Sequence, residues 1–395
     1  MKERKVIHFL NPTLFTDIFI QSFKKLPFNS EFYLLTKEDI DKKYDGDNVK
    51  IVNTKTEKTL NDLISEINNS EVNAVFFHYL DSEKQKIAYR LNSKIKKIWC
   101  LWGMDLYNNI FLPYKQFDYY TQKFINKKSS FFKKIGITFL IKRMIFHLLL
   151  FLSKWNIKNR KLNILFANYG VNKYNTIKQF DLIAYIVPKE KKLLSKLFPK
   201  AKFAHLYSDP DFPFFKHFEN PDENRNNILI GNSGSLTNNH LDSFEKLKNI
   251  NIGNSKIIVP LSYSGNSEYI KYVIKKGKEF FGENFHPLTE RLPLEEYSKL
   301  LATCKIALMN QKRQESGGNL FHLIGSEVIV FLNKDNGFYS FFKENDINVY
   351  DIKSFNQDSL HLKTDNSLYN RKKLLDLYSN THYKKEIEKL LEIFK

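Results

Sequence analysis

The sequence predicts an α/β protein made of two doubly wound domains in series, followed by C-terminal helices. The chain has 395 residues, which is long for one domain. In both halves, short β-branched or aromatic segments alternate with helical patterns, as in parallel sheets covered by helices. Residues 207–227 contain three prolines among many polar side chains, which is typical of a linker. We therefore expect domains at 1–206 and 228–366, with helices at 367–395.

Each half shows the same alternation of strands and helices. The strands predicted for the first half are Lys5–Leu10, Glu31–Leu35, Val72–Tyr79, Ile95–Leu101 and Leu182–Val187. Its predicted helices are Thr13–Lys25, Lys58–Asn69, Ser82–Ser93 and Glu190–Phe198. The strands predicted for the second half are Ile228–Ile230, Lys256–Leu261, Ile306–Met309 and Glu327–Leu332. Its predicted helices are His240–Asn249, Ser267–Phe281, Leu294–Thr303 and Asn319–Ile324, with one or two more in the tail Leu368–Phe394.

The charge of the chain indicates an anionic partner. The formal net charge is +19, which favours nucleic acid, a membrane surface or a phosphorylated metabolite. Nucleic acid is not expected, because no zinc-finger spacing, basic region with heptads or aromatic RNA-binding signature is present. The two cysteines, Cys100 and Cys304, suit a reducing cytosol and offer neither a disulfide framework nor metal-ligand spacing.

The positive charge is concentrated around one apolar segment, residues 131–161. The 62 residues from Tyr119 to Phe180 contain 13 Lys or Arg and no Asp or Glu. Lys142 and Arg143 interrupt the apolar segment at its centre, so a membrane crossing would be costly. Four basic side chains share one helical face: Arg143, His147, Lys154 and Lys158. We expect an amphipathic helix in the headgroup plane of an anionic membrane, or alternatively a core helix with a solvated basic edge.

Two glycine-containing turns follow predicted strands in the second half. The first is ILIGNSGSLTNNH at 228–240, which reads as a strand, a turn and a helix start. Helix N-termini and glycines suit a phosphate, although an ordinary turn capped by Asn and Ser is equally compatible. The second is NQKRQESGGNLFHLI at 310–324, where Arg313 suits a diphosphate and Glu315 a ribose hydroxyl. The alternative for this pair is a simple surface ion pair.

Two residues of the first half are candidate general bases. Asp105 lies in the segment WGMDLY, directly after a predicted strand, where a carboxylate could deprotonate an attacking hydroxyl. Its alternative role is a helix N-cap. His78 ends another predicted strand and is the second candidate. No Asp-x-Asp motif or His cluster predicts a metal site.

Several segments together resemble one family, the bacterial TDP-N-acetylfucosamine:lipid II N-acetylfucosaminyltransferases. They are GNSGSLTNNH (231–240), VPLSYSGNSEYI (259–270), LTERLPLEEYSKLLATC (288–304), RQESGGNLFHLI (313–324) and WGMDLY (102–107). The resemblance is dense between 228 and 335.

The resemblance implies a GT-B fold, in which two Rossmann-like domains face a cleft. It also implies inverting, metal-independent transfer of an amino-deoxy sugar from a dTDP-sugar, without a cofactor. The implied acceptor is a polyprenyl-diphosphate saccharide at the cytoplasmic face of the bacterial inner membrane, where the protein would be peripheral. The first domain would then face the acceptor and the membrane, and the second would bind the nucleotide sugar.

The family also implies which residues bind each substrate. The residues implied near the donor are Asn232, Ser233, Gly234, Asn238, His240, Tyr263, Glu290, Arg313, Gln314 and Gly318. From the two glycine turns we also expect Gly231, Glu315 and Asn319 to lie at the donor site. The basic residues expected to meet the membrane and the acceptor diphosphate are Lys133, Lys134, Lys142, Arg143, Lys154 and Lys158.

Two other functions remain open from the sequence alone. A nucleotide-sugar epimerase can have the same two-domain shape, but it needs no membrane helix. A non-catalytic basic peripheral membrane protein would leave both glycine turns without a ligand.

Overall fold

A computed structural model describes residues 4–13, 16–40, 44, 48–127, 137–155, 159–206, 209–211 and 218–392. The strands of the N-terminal half are β1 Lys5–Leu10, β2 Asn29–Thr36, β3 Val49–Asn53, β4 Ala74–His78, β5 Lys96–Cys100, β6 Leu182–Tyr185 and β7 Lys202–His205. The strands of the C-terminal half are β8 Asn227–Ile230, β9 Ile257–Pro260, β10 Phe285–Leu288, β11 Cys304–Met309, β12 Ile329–Leu332 and β13 Tyr350–Asp351.

Helices lie between most successive strands in both halves. Those before β8 are α1 Thr16–Lys24, α2 Glu57–Asn68, α3 Ser82–Arg90, α4 Met104–Tyr107, α5 Tyr119–Asn126, α6 Ile137–Leu152, α7 Arg160–Asn168, α8 Val171–Ile177 and α9 Pro188–Leu197. Those after β8 are α10 His240–Leu247, α11 Ser267–Phe281, α12 Leu294–Ala302, α13 Gly317–Gly325, α14 Gly337–Glu344, α15 Asp365–Leu377 and α16 Asn380–Leu391.

The strands form two parallel sheets of the same topology. The N-terminal sheet has the order β3-β2-β1-β4-β5-β6-β7, and the C-terminal sheet has the order β10-β9-β8-β11-β12-β13. Both contain the 3-2-1-4-5-6 order of a doubly wound fold, which confirms the predicted fold class. Ligands of such sheets bind beyond the carboxyl ends of the strands, so this topology points to the edges where the chain leaves β4, β5, β6, β8 and β11.

The central strands are buried on both faces of each sheet. All five residues of β4, AVFFH, and all four of β9, IIVP, are buried. Helices cover both sides of a parallel sheet, so its inner strands are continuous apolar segments and are easy to find in a sequence. Four edge or near-edge strands were not predicted: β3, β7, β10 and β13. β3 has no buried residue, and β10 has only Phe285 buried, so neither carries that signal.

Some predicted boundaries differ from the structure. The strand predicted from Glu327 begins at Ile329, because Glu327 has a φ of 61° in the turn before it. The apolar segment 131–161 contributes α6, a 3-10 turn at Ser153–Trp155 and the first residues of α7, while residues 131–136 and 156–158 lie outside the described part. The linker at 207–227 is without helix or strand in its described residues until β8 begins at Asn227.

Each half contains one helix that packs against the other half. Phe124 of α5 packs in the C-terminal core, with ring centroids 5.3 Å from Tyr269 and 4.9 Å from Tyr272. In return, α16 packs on β7, and its Leu390 joins the apolar cluster of the N-terminal sheet. The predicted domain boundaries stay a prediction, and these two helices link the domains across them.

The described helices include none with the length and hydropathy that a membrane crossing requires.

Candidate functional site

The first glycine turn follows β8 and is held by the buried side chain of Asn238. Its Oδ1 accepts hydrogen bonds from the Asn232 backbone N–H (2.8 Å) and from Gln311 Nε2 (2.7 Å). Its Nδ2 donates to Ser233 Oγ (2.9 Å). Gly231 has a φ of 69°, and a Cβ there would lie 2.6 Å from Asn238 Oδ1. Glycine is therefore required both by the backbone conformation and by the close approach of Asn238.

The two glycine turns lie side by side at one edge of the C-terminal sheet. β8 and β11 are neighbours in the sheet, so their carboxyl ends meet at one edge. Gln311 Nε2 donates to Asn232 Oδ1 (3.0 Å), and Asn239 Nδ2 donates to the Asn310 backbone oxygen (2.9 Å). Gln311 was not predicted as a site residue. Its only sequence signal is its place two residues after the apolar strand β11.

The first glycine turn is followed by a short 3-10 turn and then by α10, which begins at His240 as the sequence predicted. A 3-10 turn at Leu236–Asn238 intervenes, and Asn239 adopts a φ of 51° before α10 begins. The start of α10 is covered by the N-terminal half. The Asp118 backbone N–H donates to Asn239 Oδ1 (2.9 Å), and Asn239 Nδ2 donates to the Gln116 backbone oxygen (3.2 Å). This end of α10 therefore binds protein and does not open onto the turn.

The second turn leads directly into α13, whose N-terminus has no side-chain cap. Ser316 is the N-cap residue with a φ of 68°, and its buried Oγ has no hydrogen-bond partner. Arg313 is only 7% exposed. One of its terminal nitrogens contacts Glu315 Oε2 (3.1 Å), whereas its Nε has no partner. The Arg–Glu pair is thus buried beside a helix N-terminus and is not a surface pair, an arrangement that suits an anion.

The other predicted donor residues occupy three kinds of position. Asn319 Oδ1 accepts from Tyr297 Oη (3.0 Å) in the first turn of α13, which also contains Gly318. Tyr263 and Glu290 are exposed. Gly234 lies in the first glycine turn, where its backbone N–H donates to the backbone oxygen of Tyr263 (2.9 Å).

His240 is neutral and directs one nitrogen at the first turn. Its Nδ1 lies 3.3 Å from Tyr269 Oη, and its Nε2 has no partner. A Cβ on Gly231 would lie 3.0 Å from that Nε2. Burial lowers the pKa of His240 to about 3. The ring can therefore exchange a hydrogen bond with a ligand at this turn without carrying charge.

Buried polar atoms without a hydrogen-bond partner are concentrated where the two domains face each other. In the described part of the chain, those at this place are Tyr107 Oη, both carboxylate oxygens of Glu190, His240 Nε2, Gln311 Oε1, Arg313 Nε, Gln314 Oε1 and Ser316 Oγ. A buried polar atom without a partner costs about 1–3 kcal/mol. A polar ligand between the domains would supply the missing partners, so this cluster marks the candidate active site.

The N-terminal half closes directly onto the second turn. Gly103 has a φ of 86°, and a Cβ there would lie 2.0 Å from Gln314 Oε1 and 2.7 Å from the Gln314 backbone oxygen. Tyr114 Oη lies 2.7 Å from the Lys312 backbone oxygen, and Lys312 Nζ lies 2.5 Å from Asp118 Oδ1. The WGMDLY segment is therefore one wall of the cleft, and the structure shows the cleft closed.

Asp105 is engaged in structural hydrogen bonds. Its Oδ2 accepts from the Leu80 backbone N–H (3.0 Å) and from Trp99 Nε1 (2.8 Å), and its Oδ1 accepts from the Trp102 backbone N–H (3.1 Å). The side chain is 3% exposed. Its role as a base stays a prediction, but the geometry is that of a group that holds the end of β5 in place.

His78 is also enclosed. Its Nε2 lies 3.2 Å from Nδ1 of His8, and its ring packs against Phe23 and Trp102. Burial lowers the pKa of His8 to about 3, and burial together with the charges of His8 and Lys84 lowers the pKa of His78 well below its usual value. His78 stays a predicted base, and its ring is enclosed by His8 and by aromatic side chains.

The predicted membrane residues are only partly described. Lys133, Lys134 and Lys158 lie outside the described residues. Lys142 and Lys154 are exposed, and Arg143 is half-buried. Among the described residues, no group of three His, Cys, Asp or Glu side chains is placed to hold a metal ion.

The helix α6 differs from the predicted amphipathic pattern, because it is apolar on two sides. Phe146 and Leu149 pack into the N-terminal core. On the opposite side the structure exposes a second set of large apolar side chains: Leu140, Ile141, Met144, Leu148, Phe151 and, just beyond the helix, Trp155. Ile164 and Leu165 of α7 are exposed as well. We call these eight residues the apolar face.

Solved structures share this architecture over the whole chain at low sequence identity. A glycosyltransferase from Rickettsia africae matches with a TM-score of 0.62 and 11% identity, covering 100% of both chains. Sucrose-phosphate synthase from Thermosynechococcus elongatus matches with a TM-score of 0.62 and 7% identity, covering 99% of this chain and 98% of that one. Anabaena HepE, solved in complex with UDP and glucose, matches with a TM-score of 0.58 and 10% identity, covering 99% of each. These likenesses establish the GT-B fold.

A family model places the chain within that fold. The model described as 4-alpha-L-fucosyltransferase, glycosyl transferase group 56, matches residues 195–393, which is half of the chain. The match spans both glycine turns and the cluster of buried polar atoms that β8 and β11 carry. It confirms the family resemblance found in the sequence. The chain therefore belongs to the 4-alpha-L-fucosyltransferase family, glycosyl transferase group 56, and is a nucleotide-sugar-dependent glycosyltransferase.

Proposed function

We propose that the chain transfers an amino-deoxy sugar of the N-acetylfucosamine type from a dTDP-sugar to a polyprenyl-diphosphate saccharide in surface polysaccharide biosynthesis. The transfer inverts the anomeric centre and needs no metal ion. The observation that carries the proposal is the concentration of buried, unpartnered polar atoms around the uncapped N-terminus of α13. These atoms match a ligand with many hydrogen-bonding groups and a diphosphate.

The diphosphate of the donor is assigned to Arg313 and the start of α13. The first N–H groups of a helix have no intrahelical partner and carry partial positive charge. Arg313 adds a fixed cation whose Nε is unpartnered. Glu315 holds the guanidinium from one side, and its second oxygen is assigned to a ribose hydroxyl. Together these groups stabilise the negative charge of the departing dTDP, the role that a metal ion has in other transferases.

The lipid acceptor is assigned on the basis of the apolar face. Eight large apolar side chains of α6, α7 and the turn after α6 are exposed together, with Lys142 and Lys154 beside them. No acidic residue occurs between Tyr119 and Phe180. Apolar side chains flanked by lysines suit the interface of an anionic membrane, where the helices lie in the headgroup plane. We therefore place the protein at the cytoplasmic face of the inner membrane, as a peripheral protein.

Donor binding and transfer test the enzymatic part of this proposal. Calorimetry with dTDP and UDP should give tighter binding of dTDP, and a dTDP-amino-deoxy sugar should release dTDP only when a polyprenyl-diphosphate saccharide is added. Release or isomerisation of the sugar without acceptor would instead indicate an epimerase. Absence of binding to either nucleotide would favour a non-catalytic membrane protein.

Vesicle binding tests the membrane part. Met144→Glu and Leu148→Glu place charges on the apolar face at side chains that are 73% and 60% exposed, so the fold should be retained. Cosedimentation with vesicles containing anionic lipid should weaken at least tenfold. The matched control is Leu368→Glu, at a 63% exposed leucine of α15. Equal loss in the control, or no loss in either variant of the apolar face, would contradict the assignment.

A further inference from the structure

One carboxyl group in the cleft has no function in the assignments above. Glu190 lies in the first turn of α9, directly after β6, so it projects from the carboxyl edge of the N-terminal sheet. Its side chain is completely buried, and neither carboxylate oxygen forms a well-aligned hydrogen bond, although the backbone N–H groups of Ile186 and Val187 act on the carboxyl. Tyr107 Oη, in the WGMDLY segment, is likewise buried and unpartnered. A native protein rarely leaves a buried carboxyl in this state unless a ligand completes it.

The surroundings of Glu190 belong to the cleft. It interacts electrostatically with Asp105 on its own sheet edge and with Arg313 on the opposite domain. It also interacts with the hydroxyls of Tyr107 and Tyr114, and the neighbouring Lys189 Nζ lies 3.2 Å from Tyr114 Oη. Glu190 thus lies close enough to Arg313 for their charges to interact across the cleft.

We propose that Glu190 is the group that takes the proton of the acceptor hydroxyl during sugar transfer, an assignment that rests on the proposed function. The two bases predicted from the sequence lack the geometry for this step. The carboxylate of Asp105 already accepts three hydrogen bonds, and His78 is enclosed by His8 and aromatic rings. Among the described residues, Glu190 is an acidic group at this edge whose oxygens form no well-aligned hydrogen bond.

The step balances with the groups present. The acceptor O–H proton passes to one carboxylate oxygen of Glu190 while the acceptor oxygen bonds to the anomeric carbon. The bond from that carbon to the diphosphate oxygen breaks, and its electron pair leaves with dTDP, whose charge Arg313 and the start of α13 stabilise. The protonated Glu190 then returns its proton to water when the cleft opens.

The environment gives Glu190 the proton affinity that this step needs. Burial raises the pKa of the Glu190 carboxyl well above its usual value, and the charge of Asp105 raises it further. The backbone N–H groups of Val187 and Ile186 and the Arg313 guanidinium oppose this increase. A carboxylate of raised pKa is a stronger base toward an alcohol. Arrival of a diphosphate at Arg313 would remove part of the opposing positive charge.

Access to Glu190 depends on separation of the domains. A Cβ on Gly337, at the start of α14, would lie 2.5 Å from Val187 Cγ2, so the two domains touch beside this carboxyl. The proposal therefore requires that the acceptor hydroxyl enters while the cleft is open.

The test compares Glu190→Gln with Glu83→Gln. Glu83 occupies the first turn of α3, after β4, at a partly exposed position paired with Lys37, and its variant should keep wild-type activity. Glu190→Gln should lower kcat by about 10²- to 10⁴-fold, the usual range for a general base. Its affinity for dTDP and its thermal midpoint should stay close to those of the wild type. The rise of wild-type kcat with pH should disappear in Glu190→Gln, which a structural role would not cause.

The outcomes separate this proposal from the proposed function. Transfer at similar rates by the wild type and Glu190→Gln would overturn the assignment of Glu190 and leave the proposed function in place. A variant that loses dTDP binding and stability together with activity, or one that keeps the wild-type pH profile, would show a structural residue and also overturn it. A wild type that transfers from none of the dTDP- and UDP-sugars tested would overturn both proposals.

Discussion

The carboxyl edges of the two sheets have the same topology but opposite states of hydrogen bonding. At the N-terminal edge the polar side chains satisfy one another: the Asp105 carboxylate accepts three hydrogen bonds, and Lys84 Nζ, fully buried, lies 2.7 Å from Asp81 Oδ2. At the C-terminal edge Arg313, Gln314 and Ser316 all retain buried atoms without partners.

This difference shows that a shared fold does not decide which edge binds a ligand. A doubly wound sheet offers a crevice at its carboxyl edge in either domain. In the described part of the chain the N-terminal crevice is filled by its own side chains, with Glu190, Tyr107 and His78 as exceptions, whereas the C-terminal crevice is incomplete without a ligand. The four predictions below test that contrast.

The largest effect is expected for Arg313→Ala, at the carboxyl edge of the C-terminal sheet. Loss of the guanidinium should lower turnover by about 10²- to 10³-fold, or about 3–4 kcal/mol of transition-state stabilisation. Arg313→Lys keeps the charge but loses the planar donors, so its turnover should lie between those of the wild type and Arg313→Ala. Steady-state kinetics with the dTDP-sugar measures both. Arg371→Ala, which removes the ion pair with Glu327 on the far side of the same domain, is the control. Unchanged turnover in Arg313→Ala would remove Arg313 from the site.

Asp105→Asn tests the carboxyl edge of the N-terminal sheet, and it should mainly affect stability. The new amide directs an N–H group at buried donors, which we expect to lower the free energy of unfolding by about 2–3 kcal/mol. Urea denaturation measures the change, with the exposed Asp62→Asn as the matched control. If the variant were as stable as the wild type but lost transfer, Asp105 would not have a structural role, and it would again be the candidate base.

The buried histidines predict an acid-sensitive N-terminal edge. The folded-state pKa of His8 is about 3, below the unfolded value, so the unfolded state binds more protons between these values. The free energy of unfolding should therefore fall as pH decreases below about 6.5, by about 2 kcal/mol at pH 5 for this group. His8→Phe should flatten the pH dependence of the urea midpoint, and the exposed His361→Gln should not. A slope that is the same in all three proteins would contradict a neutral, buried His8.

Gly103→Ala should have the smallest effect, at the contact between the two edges. The methyl group meets the Gln314 backbone oxygen at 2.7 Å, and the φ of 86° disfavours alanine, so we expect a loss of about 1–2 kcal/mol in stability. Gly253→Ala is the control, because its φ is also positive, 55°, but nothing lies within 4 Å. The difference between the two urea midpoints measures the interdomain contact. Equal losses would mean that the cleft is open in solution.

The elements that the sequence predicted are those with a strong local pattern. β1 and the inner strands are continuous apolar segments, and Arg313 was found because a glycine-containing turn follows an apolar strand. β3 was missed because none of its residues is buried. Gln311 and Glu190 were missed because polar residues after strands are common, and only their contacts, or lack of contacts, distinguish them.

By itself the sequence determined two parallel sheets, two glycine turns that follow strands and a basic, acid-free region, because periodicity, turn chemistry and charge are local properties of the chain. The tertiary structure decided which polar atoms find partners, that α5 packs on the C-terminal domain, and that α6 exposes a second apolar side. Those features depend on contacts between residues far apart in the chain, as Asn239 with Gln116 or Gly103 with Gln314 demonstrates. No local pattern records such contacts.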